Sequence, residues 1–299
     1  MIKITVITSL YNCYNYIQSF LQQVALICNK DECEFLLLHN APQQKELDVI
    51  QTFIVDKPYI RHIIIPERES LYATWNRGCQ MAKGKYIAIW NVDDIRTPES
   101  LLMQSKALDC TFDAVYAHGS FILVEKYGDK SGVLIEEPDT KNAPKAKIYR
   151  HLGGCFPMWR KAVHDSIGFM DEQFKLAGDY DFQCRVGLKY DFVKVNHMLG
   201  YYLMDSPTRL SKNSRLQQTE CNLIHRRYKL NSIVNPFYSS LSKNLDVDNI
   251  HSFGKIIPLV EYRLPIKSDI NNFLLYAINF LFKFPYQLAK YIKHEILKL

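Results

Sequence analysis

An acidic pair stands between a strand pattern and a helix-start pattern in the segment KYIAIWNVDDIRTPE, residues 85–99. Residues 86–90 are apolar and β-prone, which is typical of a strand covered on both faces. Residues 97–99 (TPE) favour a helix start, because Thr caps helices, Pro suits the first helical position and Glu favours the positive end of the dipole. Asp93 and Asp94 are therefore predicted in the turn at the carboxyl end of a buried strand, where open α/β sheets bind ligands.

The adjacent carboxylates of Asp93 and Asp94 repel each other unless a cation or a ribose hydroxyl engages them. A divalent cation that also holds a diphosphate is the ligand that such a pair favours, because hard cations take oxygen ligands. The alternative is that both aspartates only cap and solvate a turn. That alternative is preferred for a bare acidic pair, whereas the strand–turn–helix context favours the ligand site.

Strand and helix patterns alternate with short links along the chain. Apolar β-prone runs at 2–8, 34–38 and 60–65 alternate with helical spacing at 16–27, 44–55 and 71–81. After the 86–90 strand come a helix at 98–108, strands at 114–117, 120–125 and 192–195, and helices at 182–188 and 219–230. This alternation predicts an α/β fold with a mostly parallel central sheet. The polar segment 127–150 contains several Gly and Pro and is predicted to be a long loop.

The chain is long enough, at 299 residues with 47% hydrophobic residues, for one large α/β domain and a smaller appendage. Its character changes after about residue 205, so we predict an α/β domain at 1–210 and a helical C-terminal extension at 211–299. Residues 271–299 mix aromatic and aliphatic side chains with lysines and are too interrupted to span a bilayer. They form either an amphipathic helix at a membrane interface or an ordinary packed helix.

Charge and cysteine content narrow the class of protein. The net charge of +6 at pH 7 is mild and fits an anionic substrate or a membrane surface. The basic residues are not gathered into one aromatic-bearing patch, which argues against a nucleic-acid partner. None of the eight cysteines forms a Cys-x-x-Cys pair, and the sequence enters a strand without a secretory leader. These features argue against a zinc or dithiol motif and predict a cytoplasmic protein.

Five groups of residues, in this order along the chain, resemble the family 2 glycosyltransferases, which are inverting enzymes of the GT-A fold. They are ITVITSLYN at 4–12, NRG at 76–78 with AKGKYI at 82–87, NVDD at 91–94, DE at 171–172, and GDYD at 178–181 with Arg185. The resemblance covers roughly residues 1–200. It implies a Rossmann-like, mostly parallel central sheet flanked by helices, followed by the C-terminal helical extension.

The resemblance implies that the acidic pair binds metal and nucleotide. NVDD resembles the family's Asp-x-Asp type motif, with Asn91 at its first position. By this resemblance Asp94 is the direct ligand of Mn²⁺ or Mg²⁺, and Asp93 contacts the ribose or, through water, the metal. A bound metal ion would neutralise the charge that develops on the departing phosphate.

Five further residues are implied to contact the nucleotide-sugar donor. Thr8 at the end of the first strand and Tyr11 and Asn12 after it line the nucleotide pocket by this resemblance, with Tyr11 against the base. Asn40 ends the second strand and can hydrogen-bond a base edge. Asn76 belongs to the family's approach to the metal site. Without the rest of the pattern, the first three residues would be read as an ordinary turn at a strand end.

Inversion requires a second carboxylate that takes the proton of the acceptor hydroxyl. Asp179 and Asp181 both stand near the start of a predicted helix, and either one can also be a helix N-cap. Spacing alone does not choose between them, whereas the family resemblance favours Asp179 as the catalytic base. Gly153 and Gly154 resemble the family's acceptor-side loop, where the backbone approaches a sugar closely, and they can equally serve a bulge.

Four positions depart from the family's pattern. His39 and Asn40 stand where acidic residues commonly read the nucleobase, and Trp75 stands where an arginine often precedes the asparagine. Asn91 replaces an aspartate and lowers the negative charge of the site by one. These departures keep open a second hypothesis, a catalytically inactive relative that binds nucleotide sugar or glycan. A nucleotidyltransferase is disfavoured because residues 8–16 contain no glycine-rich phosphate loop.

The sequence therefore predicts a metal-assisted inverting glycosyltransferase. Its donor is a nucleotide sugar, and its acceptor is a hydroxyl group on a glycan or lipid-linked glycan. The predicted location is the cytoplasm, and residues 271–299 are predicted either to make peripheral contact with a membrane or to pack as an ordinary helix. The sequence leaves open the donor sugar, the nucleobase, the linkage and the oligomeric state.

Overall fold

Strands joined by helices account for most of the fold. The structure, a computed structural model, describes residues 2–152, 154, 156–204, 214–230 and 245–265, together with positions 285, 288, 289 and 292. Within these residues the strands are β1 (Ile4–Leu10), β2 (Cys33–Asn40), β3 (Ile60–Ile65), β4 (Tyr86–Ile89), β5 (Ile95–Arg96), β6 (Ala114–Gly119), β7 (Phe121–Val124), β8 (Val133–Ile135), β9 (Met158–Arg160), β10 (Asp191–Val195), β11 (Gly200–Leu203), β12 (Asn249–Ser252) and β13 (Lys255–Pro258). The helices are α1 (Tyr14–Leu26), α2 (Gln44–Ile54), α3 (Leu71–Met81), α4 (Ser100–Cys110), α5 (Ala146–Tyr149), α6 (His164–Ile167), α7 (Gly178–Lys189) and α8 (Ser214–Arg227), with 3₁₀ turns at Lys30–Glu32, Lys161–Val163 and Leu259–Tyr262.

The central sheet has seven strands in the order β10-β6-β9-β4-β1-β2-β3. β1 pairs in parallel with β2 and β4, β2 with β3, and β6 with β10. β9 is the exception, because it lies antiparallel between β4 and β6. The predicted α/β fold with a mostly parallel central sheet is confirmed.

Burial explains why these segments form these elements. All eight residues of β2 are buried, as its apolar sequence predicts for a central strand with both faces covered. Helix α1 buries one stripe of apolar side chains, which packs against the sheet. The residues of this stripe are Tyr16, Ile17, Phe20, Leu21 and Val24. Helix α3 begins where the Ser70 hydroxyl accepts a hydrogen bond of 3.2 Å from the Ala73 amide.

The helix after the acidic pair starts later than predicted. We expected Thr97 to cap a helix from Pro98, but α4 begins at Ser100 and its N-cap residue, Glu99, makes no side-chain capping bond. The Thr97 hydroxyl instead donates to the Met198 carbonyl at 2.9 Å. The reason is that residues 95 and 96 form the short strand β5, which pairs antiparallel with β11 and occupies the turn.

A second sheet of four strands, in the order β5-β11-β7-β8, stands beside the first. It corrects the prediction that residues 127–150 form one long loop, because β8 pairs antiparallel with β7 and α5 occupies Ala146–Tyr149. Val133 and Leu134 of β8 are exposed, so no buried apolar alternation marks this strand in the sequence. Pairing with the edge of β7 produces the strand.

Helix α8 is joined to α7 by buried charges. The Arg227 guanidinium donates to Asp181 at 2.8 Å and to Asp171 at 2.9 Å, and all three side chains are 0% exposed. Arg185 and the Tyr228 hydroxyl also donate to Asp181, at 2.9 and 2.7 Å. Burial alone would raise the pKa of Asp181, but the two guanidinium groups outweigh burial and hold it below its usual value.

The described parts of the predicted C-terminal extension share the main hydrophobic core. Leu223 of α8 and Ile250 of β12 belong to the same cluster of buried side chains as Ile7 of β1. In the part of the chain that the structure describes, no helix has the length and apolar character needed to cross a bilayer. Most of the segment 271–299 lies outside the described residues. This is the segment for which the sequence raises membrane contact.

His118 is a completely buried histidine in β6. Neither ring nitrogen has a hydrogen-bond partner among the described residues, and the ring lies edge-on to Phe192 with centroids 6.4 Å apart. Burial lowers the pKa of His118 to about 4, and the nearby Lys194 acts in the same direction. His118 is therefore neutral in the folded protein at pH values where an unfolded chain would protonate it.

We predict that Arg227→Met destabilises the fold by about 3–5 kcal/mol, because it leaves the buried carboxylates of Asp171 and Asp181 without their shared partner. Arg226→Met is the matched control, since Arg226 is the adjacent residue of α8 and is exposed. The control should change the free energy of unfolding by less than about 0.5 kcal/mol. Urea denaturation of both variants checks this, and equal stabilities would contradict the role given to the cluster.

We predict that His118→Leu reduces the loss of stability in acid. Between pH 6.5 and 4 the unfolded chain binds a proton at His118 that the folded protein does not bind. The free energy of unfolding must therefore fall as the pH falls through this window, by up to about 1.4 kcal/mol per pH unit for one proton. Denaturation curves at pH 8, 6 and 5 should show a smaller slope for the variant, and identical slopes would contradict the assignment.

Candidate active site

Two adjoining cavities open at the carboxyl ends of β1, β2 and β4. The first, which we call the Asp93 cavity, has a volume of about 560 Å³. Much of its polar lining comes from the carboxyl ends of these three strands, from the turns that follow them and from the segment before α3. These residues are Ser9, Tyr11, Asn40, Arg68, Glu69, Ser70, Asn91 and Asp93, and Lys175 and Asp179 add two further charged groups. This is the edge of the sheet where the sequence predicts a ligand site.

The second cavity, which we call the His151 cavity, has a volume of about 620 Å³ and is lined largely by aromatic rings. The rings are those of Trp75, Tyr116, Phe121, Tyr149, Trp159, Tyr180, Phe182 and Tyr202. Carboxylate, guanidinium and imidazole groups are fewer, and they are Glu137, Arg150, His151, Asp179 and His225. Gly154 also lines this cavity, with φ +50°, whereas Gly153 lies outside the described residues.

The two cavities share one wall. Its residues are Trp75, Asn91, Leu176, Asp179 and Tyr202. Asp179 is the only acidic residue among them, so one carboxylate faces both spaces. A hydroxyl group in one cavity could therefore lose its proton to Asp179 while a second molecule occupies the other cavity.

The Asp179 carboxylate is held through one oxygen, and its other oxygen stands beside His151. Oδ1 accepts hydrogen bonds from the Tyr180 amide at 2.9 Å and from the Tyr72 hydroxyl at 3.2 Å. Oδ2 lies 3.5 Å from Nε2 of His151, and the Asp179 side chain is 28% exposed. The carboxylate is thus oriented by the protein and still open to a ligand.

Gly178 allows this orientation. A Cβ atom at Gly178 would lie 2.8 Å from the ring of Tyr72, whose side chain is fully buried. The missing side chain therefore lets Tyr72 pack against the first turn of α7 and reach Asp179. The position of Asp179 in that first turn also places its negative charge at the positive end of the helix dipole.

Asp181, the alternative base in the sequence, has a different environment. It is 0% exposed, and its oxygens accept hydrogen bonds from Arg185, Arg227 and Tyr228. Asp181 lines neither cavity. The structure therefore distinguishes Asp179 from Asp181, which their spacing in the sequence could not do.

The acidic pair is divided between surface and interior. Asp93 is half-buried and lines the Asp93 cavity. Asp94 is 1% exposed, accepts hydrogen bonds from the Asn91 amide at 3.0 Å and the Leu203 backbone at 3.2 Å, and lies behind the wall. The acidic pair also acts on Tyr127. Burial raises the pKa of Tyr127 to about 12, and the charges of Asp93 and Asp94 act in the same direction. A cation in the cavity would meet Asp93 first.

Tyr11 and Asn12 form the turn after β1. The Tyr11 ring is 43% exposed and lies in the Asp93 cavity, with the Arg68 guanidinium 3.9 Å from its centroid. Asn12 has φ +48°, in the left-handed region that asparagine tolerates, and its side-chain oxygen accepts a hydrogen bond of 3.2 Å from Gln43. The structure thus brings Tyr11 to the cavity and uses Asn12 in the turn beside it.

Thr8 lies near the carboxyl end of β1 and Asn40 ends β2, but the two residues have different surroundings. Thr8 is fully buried, and its hydroxyl has no hydrogen-bond partner within the described ranges. Asn40 lines the Asp93 cavity, but its amide donates to Thr74 at 3.1 Å and accepts from the Glu69 backbone at 3.0 Å. Asn40 therefore fixes the segment that carries Arg68 and Glu69 into the cavity.

Asn76 is fully buried below the cavities. Its amide makes two hydrogen bonds with the backbone of Met170, at 2.8 and 2.9 Å, and donates to Glu172 at 2.9 Å. These bonds use both ends of the amide. The structure therefore places Asn76 as a clamp between α3 and the segment that leads to α7, and Asn76 is not among the residues that line either cavity.

His39 belongs to a buried hydrogen-bonded network. Its Nε2 lies 3.1 Å from Glu46, and its Nδ1 lies 3.1 Å from Nε2 of His62. Burial lowers the pKa of His39, although the hydrogen bond and charge of Glu46 oppose this. Cys13, His39 and Glu46 are also the group of described side chains whose spacing would fit a metal ion. A thiol suits zinc better than Mn²⁺ or Mg²⁺.

Other site residues could not be found from the sequence. The aromatic lining of the His151 cavity comes from seven separate elements and loops, so no local pattern marks it. His151 itself carries no motif and stands beside Asp179 only through folding. His225, which the sequence offered only as a guess for completing a metal shell from the C-terminal side, also lines this cavity, with Nε2 3.1 Å from the Tyr180 hydroxyl. Burial lowers the pKa of His225 to about 4.

Comparison with known proteins agrees with this geometry. A sequence profile described as "Glycosyl transferase family 2" matches residues 5–167. An uncharacterised glycosyltransferase of Methanocaldococcus jannaschii is 24% identical over 226 residues, which cover 70% of this chain and 73% of that protein.

Solved structures share the fold at low sequence identity. The crystal structure of S. aureus TarS in complex with UDP-GlcNAc has a TM-score of 0.62 and 16% identity, covering 81% of this chain and 74% of that one. The mannosyltransferase PcManGT from Pyrobaculum calidifontis, in complex with GDP-Man and Mn²⁺, has a TM-score of 0.58 and 14% identity, covering 77% and 64%. Since the family profile spans more than half of the sequence, the chain belongs to glycosyl transferase family 2, and its fold is the GT-A fold.

Proposed function

We propose that this protein transfers a sugar from a nucleotide-sugar donor to a hydroxyl group of an acceptor, with inversion at the sugar carbon and with the help of a divalent metal ion. The donor binds in the Asp93 cavity and the acceptor in the His151 cavity. The observation that carries this proposal is the position of Asp179, whose carboxylate lies in the wall that the two cavities share.

Asp179 is the proposed general base. In a single displacement the acceptor oxygen attacks the donor carbon, the bond to the nucleotide diphosphate breaks, and the acceptor proton passes to a carboxylate. The hydrogen bonds from Tyr72 and Tyr180 hold Oδ1, and Oδ2 faces His151 and the cavity. This one side chain therefore carries the carboxylate, is oriented by hydrogen bonds and is accessible from the cavity.

Asp93 is the proposed carboxylate ligand of Mn²⁺ or Mg²⁺. The sequence favoured Asp94 as the direct ligand. The exposure of Asp93 in the cavity supports Asp93 in this role instead. Asp94 then orients Asn91 by accepting a hydrogen bond from its amide. The oxygen donors of Asp93 and Asn91 suit a hard cation. Such an ion, when bound, would stabilise the charge of the departing diphosphate.

The acceptor is proposed to be a glycan or a lipid-linked glycan. The aromatic lining of the His151 cavity supports this choice, because aromatic faces pack on the apolar faces of pyranose rings. The few polar groups there, among them Glu137 and Arg150, can orient sugar hydroxyls. The cytoplasmic location and the peripheral membrane contact through residues 271–299 stay predictions from the sequence.

Asp179→Asn is expected to lower kcat by at least about 100-fold, because the amide cannot accept the proton. Donor binding should remain, since the change preserves the shape of the shared wall. Asp165→Asn, an exposed aspartate on α6, is the matched control and should keep the wild-type kcat. Near-normal turnover of Asp179→Asn, measured by product formation and by donor titration, would exclude Asp179 as the base.

The first test of the proposal is a thermal-shift panel of UDP-, GDP-, dTDP- and CMP-sugars, each with and without Mn²⁺. At 100 times Kd, a donor should stabilise the protein by about 2.7 kcal/mol, and one nucleotide class should do so only with the metal. Asp93→Asn should lose the Mn²⁺-dependent part of the shift. Asp94→Asn should instead lower the melting temperature without ligand, because Asp94 holds Leu203 and Asn91.

The same panel separates the proposal from its alternative. A metal-dependent shift without any transfer to glycan acceptors would identify a nucleotide-sugar-binding relative that lacks activity. The absence of a shift with every donor would contradict the assignment of the Asp93 cavity.

A further inference from the structure

Helix α8 forms one wall of the His151 cavity, although it follows the matched family region in the sequence. Gln217, Cys221 and His225 recur every four residues on α8, and all three line the cavity. Glu220 lies on the same helix, next to Cys221, and is 1% exposed. Neither its sequence neighbours nor the family motifs mark Glu220 for any role.

Glu220 receives three backbone hydrogen bonds from one turn. Its Oε1 accepts from the Lys175 amide, and its Oε2 accepts from the amides of Leu176 and Ala177, each at 2.8 Å. Successive amide groups that converge in this way form an anion-binding concavity. Here the anion is the Glu220 carboxylate of the same chain. It comes from α8, which begins about forty residues after the turn.

The turn held by Glu220 leads directly into the first turn of α7. Ala177 is the N-cap residue of α7 and makes no side-chain capping bond. Lys175 and Leu176 line the Asp93 cavity, and Leu176 and Ala177 line the His151 cavity. The backbone that Glu220 holds is therefore part of both cavities and stands two residues before Asp179.

We propose that Glu220 is a positioning residue, which fixes the turn 175–177 and thereby the placement of the Asp179 carboxylate between donor and acceptor. The inference rests on the proposed role of Asp179 as the base. Glu220 touches neither cavity and acts through the backbone.

The chemistry of Glu220 suits this task. A buried carboxylate is costly unless its lone pairs are used, and here three amide donors use them. Burial raises the pKa of Glu220, while the three amide hydrogen bonds favour the charged form. Replacement of one oxygen by an amide NH₂ would set a donor against backbone donors, so Glu220→Gln disturbs the turn with almost no change in volume.

The test compares Glu220→Gln with Glu34→Gln in the full chain. Glu34 is also 1% exposed and also accepts a backbone hydrogen bond, from Lys83, but it lies at the amino end of β2, on the opposite edge of the sheet. Two quantities are measured for each variant: the amide hydrogen exchange of residues 175–177, and kcat and donor KM in the transfer reaction.

For Glu220→Gln we expect exchange at residues 175–177 at least about tenfold faster, kcat lowered about 10- to 100-fold, and donor KM changed less than about threefold. Glu220→Asp, which keeps the charge on a shorter side chain, should restore part of kcat. Glu34→Gln should lower stability while leaving the exchange of the turn and kcat at wild-type values.

Unchanged exchange and kcat in Glu220→Gln would overturn the inference, and so would equal losses of kcat in the two Gln variants. If wild-type protein transfers no sugar from any donor, the proposed function fails. The hydrogen-exchange comparison then still decides whether Glu220 holds the turn, so the two failures are distinguishable.

Discussion

The arrangement of α7 and α8 depends on the hydrogen bonds of the Asp181 carboxylate. This carboxylate accepts hydrogen bonds from Arg185 on its own helix and from Arg227 and Tyr228 at the end of α8. Removal of any one cation would leave charge in a medium that cannot solvate it, which is the costliest way to break a buried pair. This network ties α8 to α7, and so it fixes the helix whose first turn carries Asp179.

A second constraint is the parallel sheet. Because β1, β2 and β4 run in one direction, the residues that follow them meet at one edge, and Tyr11, Asn40 and Asp93 become neighbours although they are far apart in the sequence. The polar groups of the Asp93 cavity thus come from the ends of rigid strands. By contrast, the His151 cavity is assembled from aromatic side chains of many elements, and its shape depends on how those elements pack.

The difference between these two halves explains what could be predicted from the sequence. The alternation of strand and helix patterns predicted the fold class, and the strand–turn–helix pattern around Asp93 is local, so the acidic turn could be predicted from it. The burial of Asp94 and the exposure of Asp93 could not be predicted, because Asp94 is held by a contact with Leu203 of another strand. Glu220 could not be found either, since its partners, the amides of residues 175–177, are backbone groups that leave no trace in the sequence.

The antiparallel direction of β9 has a consequence for how such an enzyme can diversify. Since β9 runs against its neighbours, its amino end lies at the same edge as the carboxyl ends of β4 and β6. The connection that enters β9, with Arg150, His151 and Gly154, is therefore delivered to the cavity rather than to the far edge of the sheet. Insertions or deletions in this connection would remodel the His151 cavity, while the strand ends that form the Asp93 cavity remain in place.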